Sequence, residues 1–240
     1  MQGGKPGTMI LVDQFGQVIA GEMGDCMFQE MAAKEAQRYI SKGLSRKIML
    51  SSGDKFMEIF INVSCPADKL IIVGSGNMVQ DLYELALVVG FNTSVIDNNP
   101  ETLTRERFPL ANELLLGDIE ELLKSSTIDS NTSIVLISHN HEYDETALLA
   151  VVNSPARYIG ILGNKRKVTA YFSRLSEIGV PEELMNRVYV PVGLDLGGQK
   201  TSEIALAIMA EILAVKYGRP GGFMSIRSIT REKERHDIYY

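Results

Sequence analysis

The sequence predicts an α/β protein in which a doubly wound, Rossmann-like parallel sheet follows a small α+β domain. After Asp68, short apolar runs alternate with helical segments of about 10 to 15 residues, as in βαβ units. Before Asp68, the signals are those of two hairpins and one helix. The change falls at Ser64-Cys-Pro-Ala-Asp68, so we expect domains at residues 1–65 and 66–220 and a tail at 221–240.

The composition is that of a globular protein and excludes several classes of partner. The 240 residues are 45% hydrophobic and 22% charged, with a formal net charge of −6. An acidic balance does not favour nucleic acid or anionic lipid. Cys26 and Cys65 are too few for a disulfide framework or a four-cysteine zinc site, and the apolar runs are too short to span a bilayer. We therefore expect a cytoplasmic protein without a nucleic-acid partner or a membrane span.

The first domain is predicted to contain a hairpin, a helix and a second hairpin. Turn-forming residues occupy 13–16 and 51–54. The helix runs from Cys26 to Lys42, with Asp25 as its N-cap and Gly43 as its stop. The expected strands are Met9 to Val12, Gln17 to Ala20, Lys47 to Leu50 and Met57 to Val63.

The second domain is predicted to contain five parallel strands separated by helices. The expected strands are Lys69 to Val73, Asn92 to Ile96, Ser133 to Ser138, Tyr158 to Leu162 and Val188 to Pro191. The expected helices are Val79 to Val89, Asp118 to Lys124, Glu145 to Val152, Lys165 to Glu177 and Ser202 to Tyr217. The last helix has the clearest pattern, because Ile204, Ile208 and Ile212 share one face and Gly218 follows its end.

A glycine-rich turn follows the first strand of this domain. In dinucleotide-binding folds such glycines let the backbone approach a pyrophosphate at a helix N-terminus. Asp97 ends the next strand, where a carboxylate accepts hydrogen bonds from a ribose. We predict a nucleotide site here; the alternative is a turn kept for backbone geometry alone. The residues of the predicted site are Gly74, Ser75, Gly76, Asn77, Met78 and Asp97.

Polar residues also follow the third strand, in Ser138-His-Asn-His-Glu-Tyr-Asp144. The carboxyl edge of an open α/β sheet lines the ligand crevice, so His139 is a candidate ligand contact. If the strand extended to His141, both histidines would share one face and could offer two metal ligands. The alternative for His139 is a hydrogen-bonded structural histidine.

Three cations, Lys165, Arg166 and Lys167, begin the helix that follows the fourth strand. Cations at a helix N-terminus oppose its dipole, so a phosphate-bearing ligand near Gly163 would neutralise an unfavourable cluster. The alternative is a solvated charge run.

A second glycine-rich loop, Pro191-Val-Gly-Leu-Asp-Leu-Gly-Gly-Gln-Lys-Thr201, leads from the last strand into the last helix. It offers backbone amides at the sheet edge, which makes Gly193 and Asp195 further candidates for cofactor binding.

The first domain contributes one candidate thiol, Cys26. With Asp25 as N-cap, Cys26 takes the first helical position, where the helix dipole favours a thiolate. A thiolate is a nucleophile and a ligand for soft metals. The alternative is an inert core cysteine.

Together these segments resemble the XdhC/CoxI family of accessory proteins of xanthine and carbon monoxide dehydrogenases. The most specific motifs are Tyr158-Ile-Gly-Ile-Leu-Gly-Asn-Lys-Arg166 and Pro191-Val-Gly-Leu-Asp195, the latter followed by Glu203-Ile-Ala205. Gly21-Glu-Met-Gly-Asp-Cys26 and Gly74-Ser-Gly-Asn77 are similar to two further family segments. The chain is identified as a divergent or N-terminally shortened member.

The resemblance implies an accessory protein, not catalytic itself, that binds molybdenum cofactor as transient cargo and supports its sulfuration and delivery. Cys26 would be the sulfur ligand to molybdenum. The implied partners are a cysteine desulfurase and a molybdenum hydroxylase, and the expected state is a homodimer or larger homo-oligomer. The residues leave two alternatives open: an NAD(P)-dependent oxidoreductase that uses the glycine turn and His139, and a non-catalytic nucleotide-binding partner protein.

Overall fold

The computed structural model describes residues 7–64, 66–137, 141–163 and 172–225. The chain forms two compact units, and the boundary between them falls between Pro66 and Ala67. In the described part of the chain, no helix is both long enough and apolar enough to cross a bilayer.

The first unit combines two antiparallel hairpins with one helix. Its elements are β1 (Ile10–Val12), β2 (Val18–Gly21), α1 (Cys26–Ile40), β3 (Arg46–Ser52) and β4 (Lys55–Ile61). Strand β1 pairs with β2, and β3 pairs with β4. The predicted N-cap is confirmed, because the Asp25 carboxylate accepts hydrogen bonds from the amides of Met27 at 3.1 Å and Phe28 at 3.4 Å. Phe28 and Leu50 are buried in the small core between α1 and the second hairpin.

Within the described residues, the second unit contains a six-stranded parallel sheet, which confirms the predicted Rossmann-like fold. The strands are β5 (Lys69–Val73), β6 (Asn92–Asp97), β7 (Glu113–Leu116), β8 (Thr132–Leu136), β9 (Tyr158–Ile161) and β10 (Val188–Tyr189). Their order across the sheet is β10-β9-β8-β5-β6-β7. The count of five predicted strands was wrong, because β7 was missed. It has four residues, lies at the edge of the sheet and pairs there with β6, so its burial pattern is weak.

Helices cover both faces of this sheet. They include α2 (Asn77–Val89), α3 (Ile119–Ser125), α4 (His141–Val151), α5 (Glu182–Met185) and α6 (Thr201–Lys216). Leu70 and Ile72 of β5 pack into the core formed with α2 and α6, whereas Ile71 and Val73 pack into the core formed with α3 and α4. Burial on both faces explains why β5 is a continuous apolar run and not an alternating one.

One helix begins well before its predicted start, and one short helix was not predicted. Strand β8 ends at Leu136 and α4 begins at His141, four residues before the predicted start at Glu145. The suggestion that His139 and His141 share one strand face is therefore wrong, because His141 belongs to a helix. Residues 172–177 are helical, as predicted, and the earlier part of that predicted helix lies outside the described residues. Helix α5 was not predicted, since four residues are too few to show a period.

The amino ends of the strands are held by Asp68. Its carboxylate accepts hydrogen bonds from Arg157 Nη1 at 2.7 Å and Lys216 Nζ at 2.6 Å. Burial alone raises the pKa of Asp68, but the hydrogen bonds and charges of Lys216 and Arg157 outweigh burial and lower the pKa below its ordinary value. The cluster joins β5, β9 and the end of α6, on the edge of the sheet opposite the predicted ligand crevice.

Candidate functional site

The strand order creates a crevice at the carboxyl ends of β5 and β8. From β5 the chain continues outward to β6 and β7, and then it returns to β8 on the other side of β5. The connections that leave β5 and β8 therefore run in opposite directions, and ligands of open α/β sheets bind at such a switch point. The predicted glycine turn and the predicted histidine segment both follow strands that border this point.

The backbone of Gly74 passes close to the strand beside it. Its φ is +112°, and a Cβ atom at this position would lie 2.3 Å from the carbonyl oxygen of Ile137. Glycine is the residue that tolerates both the positive φ and the close approach. The requirement for Gly74 is therefore explained by the fold, whether or not a ligand binds.

Gly76 is the N-cap of α2 and has extended backbone, with no side-chain hydrogen bond to the helix. The first amides of a helix have no intrahelical acceptor, and no side chain in the described part of the chain caps them here. Asn77 and Met78 begin this helix at the crevice. The arrangement suits an anion at the N-terminus of α2.

Ser75 connects the glycine turn to the end of β6. Its side chain is fully buried, and its Oγ lies 2.5 Å from Asp97 Oδ2 and 2.5 Å from Thr102 Oγ1. Because an ionised carboxylate only accepts, Ser75 donates to Asp97 and Thr102 donates to Ser75. Asp97 Oδ1 accepts two further bonds, from the amides of Asn98 at 2.7 Å and Asn99 at 3.2 Å. Asp97 ends β6 beside the turn and already holds the loop in place.

Arg107 is a candidate that sequence reasoning missed. Its Nη2 donates to Asn77 Oδ1 at 3.2 Å, which places a cation beside the start of α2. Its Nε is buried without a hydrogen-bond partner among the described residues. A sequence signal existed, because an arginine after the second strand of a dinucleotide-binding unit can accommodate a ribose phosphate. The long connection between β6 and β7 obscured it.

Of the remaining candidate residues at the crevice, the structure describes one and leaves three outside the described residues. Gly163 follows β9, at the same edge of the sheet as the glycine turn and one strand beyond β8. His139, Lys165 and Arg166 lie outside the described residues.

Gly193 takes part in a contact within the fold. Its amide donates to Glu211 Oε2 at 2.9 Å, and a Cβ at Gly193 would lie 3.2 Å from the backbone nitrogen of Ile208 in α6. Glu211 Oε2 also accepts a hydrogen bond from Tyr158 at 2.5 Å. Burial, together with this bond and the charge of Glu211, raises the pKa of Tyr158 well above its ordinary value. The loop is thus packed onto α6, while Asp195 is exposed.

Cys26 lies in the first unit, at the first position of α1, and its thiol is exposed. The Sγ donates a weak hydrogen bond to Glu30 Oε1 at 3.9 Å. Among the described residues, no group of three or more His, Cys, Asp or Glu side chains is placed to hold a metal ion. Cys26 is therefore accessible, but it has no companion ligands in the described chain.

Comparison with known proteins identifies the family. The model of the XdhC Rossmann domain matches residues 70–212. The protein described as uncharacterized protein YqeB, from Escherichia coli (strain K12), is 33% identical over 168 residues, covering 70% of this chain and 31% of that protein. A probable xanthine dehydrogenase subunit of Bacillus subtilis (strain 168) is 28% identical over 163 residues, covering 68% and 47%.

A third relative, the molybdenum cofactor insertion chaperone PaoD of Escherichia coli (strain K12), is 24% identical over 151 residues, covering 63% of this chain and 41% of that protein. This chain therefore spans less than half the length of each of these relatives. A crystal structure of a xanthine dehydrogenase from Bacillus halodurans has a similar fold, with a TM-score of 0.58 and 23% identity over 83% of this chain and 67% of that one. Because the family model matches more than half of the chain and includes the glycine turn, Asp97 and Arg107, this chain belongs to the XdhC Rossmann-domain family.

Proposed function

We propose that this chain is an accessory protein in the maturation of a molybdenum hydroxylase, and that its second unit binds a phosphate-bearing nucleotide or pterin at the carboxyl edge of β5 and β8. One observation carries the binding proposal. Among the described residues, no side chain caps the N-terminus of α2, and the guanidinium of Arg107 lies beside it with a buried Nε that has no hydrogen-bond partner there. An anion between them would accept hydrogen bonds from both.

Both backbone and side-chain groups at the crevice would contact the ligand. Gly74 and Gly76 let the ligand approach the turn, and the amides of Asn77 and Met78 donate to phosphate oxygens. Ser75 holds Asp97, whose remaining lone pair accepts from a ribose or pterin group. Further candidates from the other loops at this edge are His139, Gly163, Lys165, Arg166 and Asp195.

The names of the relatives support molybdenum cofactor as the cargo. One is a molybdenum cofactor insertion chaperone, and another is a probable subunit of a xanthine dehydrogenase. Cys26 is our candidate for a sulfur ligand to the molybdenum of the cargo, because its thiol is exposed at the start of α1. The proposed partners are a cysteine desulfurase and a molybdenum hydroxylase in the cytoplasm, with this chain acting as a homo-oligomer and catalysing no reaction.

Calorimetric titration with molybdenum cofactor released from a purified hydroxylase tests the binding site. We expect Arg107→Met to weaken binding roughly ten- to hundredfold, as loss of a charge-assisted hydrogen bond predicts. Arg105→Met is the matched control, because the Arg105 guanidinium donates to the carbonyl of Ala111. Equal weakening by both variants, or no binding to the unmodified chain, would overturn the proposal. Binding and turnover of NADH or NADPH in place of the cofactor would favour an NAD(P)-dependent oxidoreductase.

The role of Cys26 needs a separate measurement, because binding of the cofactor by its phosphate does not require a thiol. Molybdenum X-ray absorption of the complex counts the sulfur neighbours of the metal. We expect Cys26→Ser to remove one sulfur neighbour and to leave the affinity change caused by Arg107→Met intact. An unchanged sulfur count would exclude Cys26 as a ligand without affecting the crevice.

A further inference from the structure

The second unit contains a pocket of about 380 Å³ between strand β10 and the carboxyl-terminal half of α6. Small-molecule sites in proteins typically have volumes of about 300–1,000 Å³, so this pocket has room for a small ligand. It lies beside an edge strand of the sheet, whereas the crevice lies at the carboxyl ends of β5 and β8. We call it the Glu211 pocket, after the glutamate that lines it.

Glu211 brings a carboxylate without a counter-charge to this pocket. Its Oε2 accepts hydrogen bonds from the Tyr158 hydroxyl at 2.5 Å and from the Gly193 amide at 2.9 Å, and neither donor is charged. In the described part of the chain, Glu211 forms no ion pair and its Oε1 accepts no hydrogen bond. A half-buried carboxylate in this state favours a ligand that carries a positive charge.

Arg219 brings the opposite charge to the same pocket. Its amide donates to the carbonyl of Ala214 at 2.8 Å, which fixes the backbone just after α6. Arg219 forms no ion pair with Glu211 or with any other acidic residue that the structure describes. The pocket therefore presents a carboxylate and a guanidinium that do not neutralise each other, and a complementary ligand carries both an ammonium group and an anionic group.

The remaining walls of the pocket are uncharged and largely apolar. Leu194, Val215 and Tyr189 belong to them. The ring of Tyr189 stacks on the buried ring of Tyr158, with centroids 4.6 Å apart. A Cβ atom at Gly221 would lie 2.9 Å from Leu194 Cδ1, so the chain after α6 packs against this wall. Walls of this kind suit an aliphatic or aromatic side chain.

We propose that the Glu211 pocket binds a free α-amino acid with an apolar side chain. The ammonium group of the ligand donates to Glu211 Oε1, its carboxylate accepts from the Arg219 guanidinium, and its side chain packs beside Tyr189. Because two hydrogen bonds already hold Glu211, binding requires little ordering of this carboxylate. The proposal does not depend on the ligand of the crevice or on the accessory function.

An NMR saturation-transfer titration of the full chain with L-phenylalanine tests the proposal. Two analogues of similar shape are the matched controls, because phenethylamine lacks the carboxylate and 3-phenylpropanoate lacks the ammonium group. We expect L-phenylalanine to bind with a dissociation constant of about 1 mM or lower. Each analogue should bind roughly tenfold more weakly, or worse. No binding of L-phenylalanine, or equal binding of either analogue, would overturn the proposal.

Two variants on α6 test whether the amino acid binds at this pocket. Glu211→Gln keeps a side-chain oxygen as acceptor for Tyr158 and Gly193 but removes the charge, so it should weaken L-phenylalanine binding roughly tenfold or more. Glu203→Gln is the matched control, because Glu203 accepts from two backbone amides before α6 and does not line the pocket. Circular dichroism verifies that both variants fold. Equal affinities of the two variants would overturn the assignment.

Arg219→Gln distinguishes an amino acid from a simple amine. The variant should weaken the binding of L-phenylalanine roughly tenfold and leave that of phenethylamine unchanged, since phenethylamine offers no carboxylate to the guanidinium. An equal change for both ligands, or no change for either, would overturn the amino-acid proposal. The comparison of the three ligands on the unmodified chain needs no variant, so it decides the proposal even where a substitution prevents folding.

Discussion

The buried hydroxyl of Ser75 donates a 2.5 Å hydrogen bond to Asp97 Oδ2, and this bond joins the turn after β5 to the end of β6. Thr102, from the following loop, contacts the same hydroxyl at 2.5 Å. The shape of the crevice is therefore set by contacts within the chain before any ligand binds, which reduces the ordering that binding requires.

Ser75→Ala should lower the free energy of unfolding by about 1–3 kcal/mol, because it removes the hydrogen bonds that the buried hydroxyl makes with Asp97 Oδ2 and Thr102 Oγ1. Ser133→Ala is the matched control, since Ser133 is also buried in the sheet but its Oγ has no hydrogen-bond partner among the described residues. We expect that change to be neutral or stabilising. Urea unfolding measures both, and equal losses would contradict the interpretation.

Gly74→Ala should destabilise the fold by about 3 kcal/mol or more, because a positive φ and a collision with the Ile137 carbonyl act together. Gly90→Ala separates the two effects. Gly90 has φ of +92° at the end of α2, and a Cβ there would meet no atom within 4 Å. It should cost only about 1–2 kcal/mol for the backbone conformation. Thermal unfolding of both variants provides the comparison, and similar losses would rule out the collision.

Asp68→Asn should lower stability at neutral pH by about 1–3 kcal/mol, because Arg157 and Lys216 lose a shared carboxylate. The pKa of Asp68 is lowered in the folded state, so its contribution is present above the unfolded value, near 3.8, and is lost as pH falls through the folded pKa. The free energy of unfolding of the Asp68→Asn variant should therefore fall less at acid pH than that of the unmodified chain.

Glu120→Gln is the control for Asp68→Asn. It removes an exposed ion pair with Lys124 within one helix, which should cost no more than about 0.5 kcal/mol. Chemical unfolding between pH 2 and 7 is the measurement. If Asp68→Asn lost as much stability at acid pH as the unmodified chain, the lowered pKa of Asp68 would be contradicted.

Tyr158→Phe should destabilise the protein by about 1–2 kcal/mol, because Glu211 Oε2 loses a hydrogen bond and, among the described residues, keeps the amide of Gly193 as its partner. Tyr189 stacks on Tyr158 with ring centroids 4.6 Å apart, and Tyr189→Phe keeps that stacking and should be close to neutral.

The same tyrosine predicts an alkaline effect. The pKa of Tyr158 is raised in the folded state, so above the ordinary value of 10 the unfolded chain loses this proton first and stability falls. Tyr158→Phe should lack that part of the decline. Unfolding between pH 8 and 11 would detect it, and parallel curves for the variant and the unmodified chain would count against the shift.

The sequence predicted most of the sheet because strands buried on both faces form continuous apolar runs. Strand β5 is the clearest case, since each of Leu70 to Val73 is fully buried. The same argument failed for β7, whose edge position buries little. It also misplaced the start of α4, because residues 141–144 are polar and follow the pattern of a loop.

By itself, the sequence determined the Rossmann-like class, the glycine turn, the position of Asp97 at the end of a strand and the Asp25 cap of α1. Each of these depends on residues within one element or its immediate neighbours, where period and capping act. Only the tertiary structure decided that Arg107 lies beside Asn77, that Ser75 holds Asp97, and that Asp68 joins Arg157 to Lys216. Those contacts join residues far apart in the chain, so they follow from strand order and packing, which local sequence patterns do not encode.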